Sequence, residues 1–279
     1  MQTHIIDGRK IRDEILQHVA KEIKKLPFVP VFSDILIGND PVSAQYVRMK
    51  ARTAESVGIR FHSADFPSTI TTSGLLNEIE KINNINNICG AIVQLPIPES
   101  LDKIQVLNAI DPSIDVDSLG ESASLKFYGG DVALGYPTAL ACMAIVDSLK
   151  IDLKGKKIVV IGQGQLVGKP VTHLLELRGL QVGIITRKTE EKIKKDLIKN
   201  ADVIISATGV GKFITGDMIK EGVVIVDAGT SEGSGGIVGD VDLESVTGIA
   251  GYVSPVPGGV GPVTVAMLLQ NVLTVAKQK

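Results

Sequence analysis

The sequence predicts an α/β protein built as two three-layer domains, each with a parallel sheet between layers of helices. Apolar segments of strand length alternate with segments of helical periodicity along most of the 279 residues. This alternation is typical of parallel strands joined by crossover helices. A chain of this length can form two domains that each bury a core.

The first half contains alternating elements that end in a long irregular segment. We predict helices over 8–25, Pro41 to about Val57, 73–82 and 101–110, and strands over 29–38, 59–66 and 89–98. From Asp111 to Thr138 the periodicity lapses, which predicts a loop, and loops of this length are often functional. The carboxyl ends of parallel strands share one edge of a sheet, and ligands bind there.

The second half begins with a linking helix over 139–149. Strands follow over 158–161, 182–186, 201–209 and 222–229, with a charged helix over 190–199 and a final helix capped near Thr264. We expect residues 1–135 to form the first domain, joined by the C-terminal helix over 263–279. Residues 136–262 then form the second domain.

A glycine turn follows the first strand of the second half. Gly162 and Gly164 come directly after the apolar run 158–161, and Gly168 precedes a helical pattern. Glycines let a backbone bend tightly and approach a phosphate at a helix N-terminus. The spacing is one residue longer than the usual dinucleotide fingerprint. It predicts either a Rossmann-type dinucleotide-binding domain or an ordinary tight turn between strand and helix.

Composition disfavours several classes of partner. A net charge of −2 gives no electrostatic footprint for nucleic acid or an anionic membrane. There is no signal-peptide pattern and no apolar run long enough to span a bilayer. Cys89 and Cys142 are predicted to be buried free thiols, which fits a cytoplasmic protein, and the four histidines lack metal-ligand spacing, so no metal is expected.

Candidate chemical groups follow two strands of the first domain. Tyr46 and Lys50 are four residues apart on a helix, so an aromatic ring and an amine share one face. Lys50 could instead belong to a solvated face with Arg48 and Arg52, which is the better interpretation of these residues taken alone. Gln94 ends a strand and can bond a lysine or simply cap the sheet. Asp115 and Asp117 could accept bonds from a ligand's ring nitrogens or only form turns.

These segments together resemble the bifunctional methylenetetrahydrofolate dehydrogenase/methenyltetrahydrofolate cyclohydrolase family. The resemblance covers both predicted domains, and the most specific segment is the last. The segments are ILIGNDPVSAQYVRMKARTAESVGI (35–59), GAIVQLPIP (90–98), IDPSIDVD (110–117), VVIGQGQLVGKPV (159–171), ADVIISATG (201–209), VGDVD (238–242) and GYVSPVPGGVGPVTVAMLLQN (251–271).

The resemblance implies a folate cleft between the two α/β domains and a homodimer formed through the nucleotide domains. It implies oxidation of 5,10-methylenetetrahydrofolate with NADP, followed by hydrolysis to 10-formyltetrahydrofolate. Lys50 matches the catalytic lysine, Gln94 its neighbour, Tyr46 the stacking tyrosine and Asp117 the pterin-binding aspartate. Further substrate contacts are assigned to Pro257, Gly258 and Gly259, and cofactor contacts to Gly162, Gln163, Gly164, Arg187, Thr208, Gly209 and Thr230.

The sequence departs from the family pattern in three places. Residues 136–139 replace Pro-Cys-Thr-Pro, and Ser118 follows Asp117 where the family usually has glycine. Gly164 replaces a serine of the nucleotide loop, which removes a hydroxyl donor. Two alternatives therefore remain open: a pyridine-nucleotide dehydrogenase acting on another small substrate, and a catalytically lapsed folate- or nucleotide-binding protein.

The second strand of the nucleotide domain predicts the choice of cofactor. NAD-binding units usually place a carboxylate at the end of this strand, where it accepts hydrogen bonds from the ribose hydroxyls. Here Arg187 and Lys188 follow the strand, and the next carboxylate is Glu190. We therefore predict NADP, with Arg187 as the main contact to the 2′-phosphate. A solvated turn is the alternative role for these two cations.

Overall fold

The computed structural model describes residues 2–233 and 236–279. Up to residue 128 the elements are β1 (His4–Ile5), α1 (Gly8–Ile23), β2 (Val31–Ile37), α2 (Pro41–Ser56), β3 (Arg60–Phe66), α3 (Thr72–Asn83), β4 (Ile88–Val93), α4 (Lys103–Asn108) and α5 (Glu121–Tyr128). They continue with α6 (Pro137–Ser148), β5 (Ile158–Ile161), α7 (Gly168–Leu177), β6 (Val182–Ile185), α8 (Glu191–Asn200), β7 (Val203–Ser206), a 3₁₀-helix (Gly216–Met218), β8 (Val224–Asp227), β9 (Ser231–Gly233), β10 (Gly236–Val238), α9 (Leu243–Val246), β11 (Tyr252–Val253) and α10 (Val260–Ala276).

The chain divides into two compact units, which we name after their sheets. The three-stranded unit contains Glu14–Pro137 and Val265–Lys279, and the six-stranded unit contains the residues up to Asp13 together with Thr138–Thr264. This division differs from the expected domains at the N-terminus. The reason is that β1 pairs in parallel with β11 and so extends the six-stranded sheet. A two-residue strand carries too little pattern to be recognised in the sequence.

The three-stranded sheet has the order β3-β2-β4, and both pairings are parallel. All seven residues of β2 are buried, as a strand between two others and beneath helices requires. The core on this sheet includes Phe32, Ile35 and Leu75, together with Leu269 and Val272 of α10. The carboxyl ends of β2 and β4 lie at one edge, where Gln94 N donates to Ile35 O at 2.9 Å.

The six-stranded sheet has the order β1-β11-β8-β7-β5-β6, and every pairing within it is parallel. Its central strands β5, β7 and β8 are buried along their whole length. β9 and β10 pair separately as an antiparallel hairpin. The predicted α/β fold with two parallel sheets is confirmed.

Two details of the sequence prediction are wrong. Part of the predicted loop over 111–138 is helix α5, in which Ala123 and Phe127, four residues apart, are both buried. Helix α10 begins at Val260, before the predicted cap at Thr264.

Ser118, where the resembled family usually has glycine, is buried with a φ of 57°, a conformation that glycine adopts at lower cost.

Asn271 of α10 ties together two segments of the three-stranded unit. Its side-chain amide donates to Val116 O at 2.8 Å and to Gly135 O at 2.7 Å, and Asn271 is 2% exposed. Val116 lies between the two aspartates of the IDVD segment, and Gly135 precedes α6. One buried amide therefore fixes the backbone on both sides of the remodelled loop.

We predict that Asn271→Ala lowers the free energy of unfolding by about 2–4 kcal/mol, because two buried carbonyl groups each lose their donor. Thermal and urea unfolding monitored by circular dichroism measure this change. Gln278→Ala is the control, since its amide is exposed beyond the same helix. Equal unfolding midpoints for the parent and the Asn271 variant would show that the amide does not anchor these segments.

Candidate active site

Lys50 lies on the buried face of α2. Asp40 caps this helix by accepting a hydrogen bond from Ser43 N at 2.7 Å, and Pro41 occupies its first turn. The buried residues of α2 are Ser43, Val47, Lys50 and Ala54, a spacing that defines one helical stripe. Arg48 and Arg52 are exposed. A solvated face is therefore the correct description of the arginines and the wrong one for Lys50, which is 7% exposed.

The Lys50 ammonium lies between the side chains of Asp34, in the middle of β2, and Gln94, directly after β4. Its Nζ donates to Gln94 Oε1 at 2.7 Å and lies 2.6 Å from Asp34 Oδ2. Gln94 Nε2 donates in turn to Leu95 O at 2.7 Å, which fixes the amide with its oxygen toward the lysine. The structure thus brings together the predicted pair Lys50 and Gln94.

Asp34 is a member of this cluster that sequence reasoning missed. It is fully buried in the middle of β2, and its Oδ1 has no hydrogen-bond partner within the described chain. Burial raises the pKa of its carboxyl group, the charge of Lys50 lowers it, and Asp65 on β3 raises it. The available signal was the polar pair Ser33-Asp34 inside the apolar strand VFSDILI.

The two aspartates of the IDVD segment have different surroundings. The segment runs beside β4, with Asp115 bridged to Ala91, and the buried Asp115 Oδ2 accepts a hydrogen bond from Gly120 N at 2.7 Å. Asp115 therefore shapes the loop. Asp117, in contrast, remains partly accessible to solvent. Desolvation raises the pKa of Asp117 to about 7; Lys50 opposes this shift, whereas Asp115 and Asp34 add to it.

Tyr46 lies one turn before Lys50 and is 42% exposed. Its aromatic ring is therefore exposed to solvent, on the same helix whose inner face carries the buried Lys50. Large exposed aromatic rings are common in ligand sites, where they supply stacking area. The ring and the amine thus lie one turn apart on α2, with the ring exposed and the amine buried.

In the six-stranded unit, two of the three glycines in the turn after β5 are positions where any side chain would clash. A Cβ on Gly162, whose φ is 90°, would lie 2.3 Å from Ala207 O, and one on Gly168 would lie 1.9 Å from Gly162 O. Gly164 faces open space. Gln163 Nε2 donates to Thr172 Oγ1 of α7 at 3.0 Å, so this side chain braces the turn. The open backbone before α7 can accommodate a phosphate.

The loops after β7 and β8 are organised by two buried aspartates that received no role from the sequence. Asp240 accepts hydrogen bonds from Ser206 Oγ, Thr208 N and Val210 N at 2.6, 2.7 and 3.0 Å. Asp227 accepts from the backbone N–H groups of Gly229, Asp240 and Val241 at 2.9–3.1 Å. For Asp240 the available signal was the VGDVD segment (238–242), which carries part of the family resemblance.

The remaining predicted cofactor residues lie at the same edge of the six-stranded sheet. A Cβ on Gly209 would lie 3.7 Å from Thr230 O, so the loops after β7 and β8 adjoin. Thr208 Oγ1 accepts from Val210 N at 3.1 Å. Arg187 is exposed in the turn after β6, and among the described residues no carboxylate forms an ion pair with it. Its guanidinium is available to an anion.

The loop Pro257–Gly259 packs against the start of α1 within the same unit. Gly8 N donates to Gly258 O at 3.0 Å, and a Cβ on Gly8 would lie 1.9 Å from Gly259 O. Gly258 has a φ of 108°, in the region that glycine adopts readily. The close approach of two glycine-containing backbones holds this loop in place.

The described residues contain neither a helix that could span a membrane nor a cluster that could hold a metal ion. No helix in 2–233 or 236–279 combines the length and apolar character needed to cross a membrane. Over the same ranges, no cluster of three or more histidine, cysteine, aspartate or glutamate residues is arranged to hold a metal ion.

Comparison with known proteins places both halves of the chain in one family. Residues 6–117 match the domain described as tetrahydrofolate dehydrogenase/cyclohydrolase, catalytic domain, and residues 136–279 match the NAD(P)-binding domain of the same description. The curated bifunctional protein FolD of Halothermothrix orenii is 39% identical over 279 residues, covering 98% of each chain.

Solved structures agree with this assignment. The bifunctional FolD enzyme of Campylobacter jejuni, described as a methylenetetrahydrofolate dehydrogenase/cyclohydrolase, superposes with a TM-score of 0.94 at 34% identity, covering 99% of each chain. The Trypanosoma brucei enzyme, complexed with NADP and an inhibitor, gives a TM-score of 0.92 at 32% identity, covering 100% of this chain and 98% of that one. The chain belongs to the tetrahydrofolate dehydrogenase/cyclohydrolase family.

Proposed function

We propose that this protein is a bifunctional folate enzyme of one-carbon metabolism. It oxidises 5,10-methylenetetrahydrofolate to 5,10-methenyltetrahydrofolate with NADP and hydrolyses that product to 10-formyltetrahydrofolate. The observation that carries the proposal is the buried Lys50 ammonium bonded to Gln94 Oε1, in a chain that matches both family domains. The similar Campylobacter and Trypanosoma proteins are methylenetetrahydrofolate dehydrogenase/cyclohydrolases.

The residues of the three-stranded unit have complementary roles in this proposal. Tyr46 offers its exposed ring to the pterin, and Asp117 accepts hydrogen bonds from pterin N–H groups when ionised. Lys50 serves the hydrolysis. Its neutral amine accepts a proton from the water that attacks the methenyl carbon, and the ammonium can return a proton when the carbon–nitrogen bond breaks. Gln94 keeps Nζ in position.

The six-stranded unit supplies a site whose residues fit NADP. Gly162 and Gly168 shape the turn before α7, Gly164 leaves space for the pyrophosphate, and Arg187 offers a cation without an ion-pair partner in the described chain. Thr208, Gly209 and Thr230 border the same sheet edge, and Gln163 braces the turn. When bound, NADP accepts the hydride from the methylene carbon of the folate.

A two-phase absorbance assay tests the proposal. The purified protein is mixed with 5,10-methylenetetrahydrofolate and NADP, and the absorbance of NADPH and of the methenyl product is followed. Bifunctionality predicts NADPH formation together with enzyme-dependent decay of added methenyltetrahydrofolate. NADPH formation without catalysed decay would leave a dehydrogenase only. Binding of either ligand without turnover would favour the lapsed binding protein.

We also propose that the protein is a cytoplasmic homodimer formed through the six-stranded units. Strand β6 ends the order of the six-stranded sheet, and Ile184 on it is 41% exposed. An apolar edge strand of this kind is commonly covered by another chain. Sedimentation equilibrium measures the assembly: the parent should be a dimer, and Ile184→Lys should shift it toward monomer. A monomeric parent contradicts the proposal.

Replacing Lys50 by methionine should slow hydrolysis of methenyltetrahydrofolate by about 10²–10⁴-fold, because a thioether cannot exchange a proton with water. Hydride transfer to NADP should be less affected. The variant also leaves Asp34 buried without its cation, so its unfolding midpoint should fall. Lys81→Met, at an exposed position of α3, is the control and should keep both rates. Undiminished hydrolysis by the folded Lys50 variant would remove Lys50 from the mechanism.

Asp117→Ala should weaken folate binding by roughly 10–100-fold, the loss of a charge-assisted hydrogen bond, and leave NADP binding unchanged. In the parent, folate affinity should increase as pH rises through about 7, because the raised pKa of Asp117 keeps the carboxyl protonated below that pH. Calorimetric titration with each ligand at several pH values measures both effects. The control is the exposed Asp131→Ala. Equal losses for folate and NADP would make Asp117 a structural residue.

The parent should prefer NADP over NAD, and Arg187→Ala should reduce that preference, since the guanidinium forms a two-pronged contact with the 2′-phosphate. The measurement is kcat/KM for both cofactors in the two proteins. Lys192→Ala, an exposed cation on α8, provides the control for general charge. A ratio that the Arg187 substitution leaves untouched would mean that another group recognises the phosphate.

A further inference from the structure

We propose that Asp34 is a positioning residue for Lys50: it holds Nζ against Gln94 and retains the proton on the amine, so that it sets the pH at which hydrolysis begins. The inference rests on the proposed function and adds a residue to it. It is carried by the 2.6 Å contact between Asp34 Oδ2 and Lys50 Nζ and by the burial of both side chains.

The fold alone gives no reason for a carboxyl group at this position. Asp34 lies in the middle of the central strand, opposite Ser63 on β3 and Ile92 on β4, and its backbone pairs there as any strand residue would. Its side chain is fully buried and caps no helix or turn. Burying an acid is costly unless it is paired, and an aliphatic residue would fill a strand interior at lower cost.

Few groups other than Lys50 interact with the Asp34 carboxyl group. Among the described residues, Asp34 Oδ1 has no hydrogen-bond partner, and the charged neighbours that alter Asp34 are Lys50 on α2 and Asp65 on β3. Gln94, from the end of β4, is neutral and bonds the lysine. The carboxyl group is therefore directed at one cation.

Carboxyl groups from two elements lie near the Lys50 amine. Asp34 contacts it from β2, and the charge of Lys50 lowers the pKa of Asp117 in the IDVD segment. Asp65 on β3 and Asp115 in that segment raise the pKa of Asp34 and of Asp117, respectively. Negative charge within a few ångströms stabilises an ammonium. A protonated amine cannot accept a proton from water, so the amine must first lose a proton before it can act as a base.

The two reactions differ in whether they need a proton exchange at Lys50. Hydride transfer from the methylene carbon needs no proton from Lys50. The methenyl product is a cation, and it adds a like charge beside the ammonium, which favours loss of the proton from Nζ. The neutral amine then takes one proton from the attacking water. The charge of Asp34 thus opposes the hydrolytic step and leaves hydride transfer largely unaffected.

The test is the pH profile of the full-length enzyme. In Asp34→Asn, which keeps the side-chain shape and removes its charge, the rising limb of the hydrolysis profile should move to lower pH by about one to three units. The pH profile of hydride transfer should stay in place. Ser33→Ala is the matched control, because Ser33 is equally buried on the same strand but bonds His62 Nδ1 at 3.0 Å instead. Superimposable hydrolysis profiles for the parent and Asp34→Asn would overturn the inference.

A spectroscopic readout keeps the inference separate from the activity. In protein labelled with ¹³C at lysine Cε, the Lys50 resonance is identified by its absence in Lys50→Met. Its titration midpoint should be lower in Asp34→Asn, even if the parent proves inactive on folates. If Asp34→Asn fails to fold, Asp34→Val, which suits a strand interior, takes its place. An unchanged midpoint in a folded variant contradicts the proposal, whatever the rates.

Discussion

The structure of the candidate site depends on one interaction, the ion pair between the buried Lys50 ammonium and the buried Asp34 carboxyl group. Either charge alone would be expensive in the interior of the unit, and removing one partner of such a pair typically costs about 3–5 kcal/mol. Together with the Gln94 amide they join β2, α2 and the end of β4. The same contact that lowers the cost of burial places an amine where a parallel sheet binds its ligands.

Buried carboxylates perform a related task in the six-stranded unit. Asp227 and Asp240 accept hydrogen bonds from backbone N–H groups, and Asp240 also accepts one from the Ser206 hydroxyl. These bonds fix the loops after β7 and β8. Glycines allow the remaining close contacts, because the backbones in the turn after β5 and at the Pro257–Gly259 loop approach each other more closely than a Cβ would permit. In both units, a rigid parallel sheet carries loops that internal hydrogen bonds have already ordered. Preorganised loops lose less conformational entropy when a ligand binds.

Much of this arrangement was predictable from the sequence. Alternating apolar and helical segments gave the order of strands and helices, since buried parallel strands leave a strong local pattern. The pairing of Lys50 with Gln94 followed from the family resemblance and agrees with the geometry. Local patterns also explain the failures: β1 is too short to leave one, and α5 is hidden in a stretch rich in glycine, serine and aspartate.

The role of Asp34 could not be read from local pattern because it depends on a contact between residues sixteen positions apart, on different elements. A polar residue inside a strand signals that a partner exists, but only the packing of α2 on β2 identifies Lys50 as that partner. The same holds for Asn271, whose two acceptors lie more than a hundred residues earlier in the chain. Long-range polar contacts are set by tertiary structure, which sequence periodicity does not encode.

The most direct measurement is a crystal structure of the protein with NADP and a folate analogue that carries the pterin ring. We expect the pterin to contact Asp117 and to stack on Tyr46, with the carbon between N5 and N10 beside Lys50 Nζ and with Asp34 still paired to that amine. A folate bound away from Lys50, or a Lys50 side chain that points from Asp34 into solvent in the complex, would contradict this expectation.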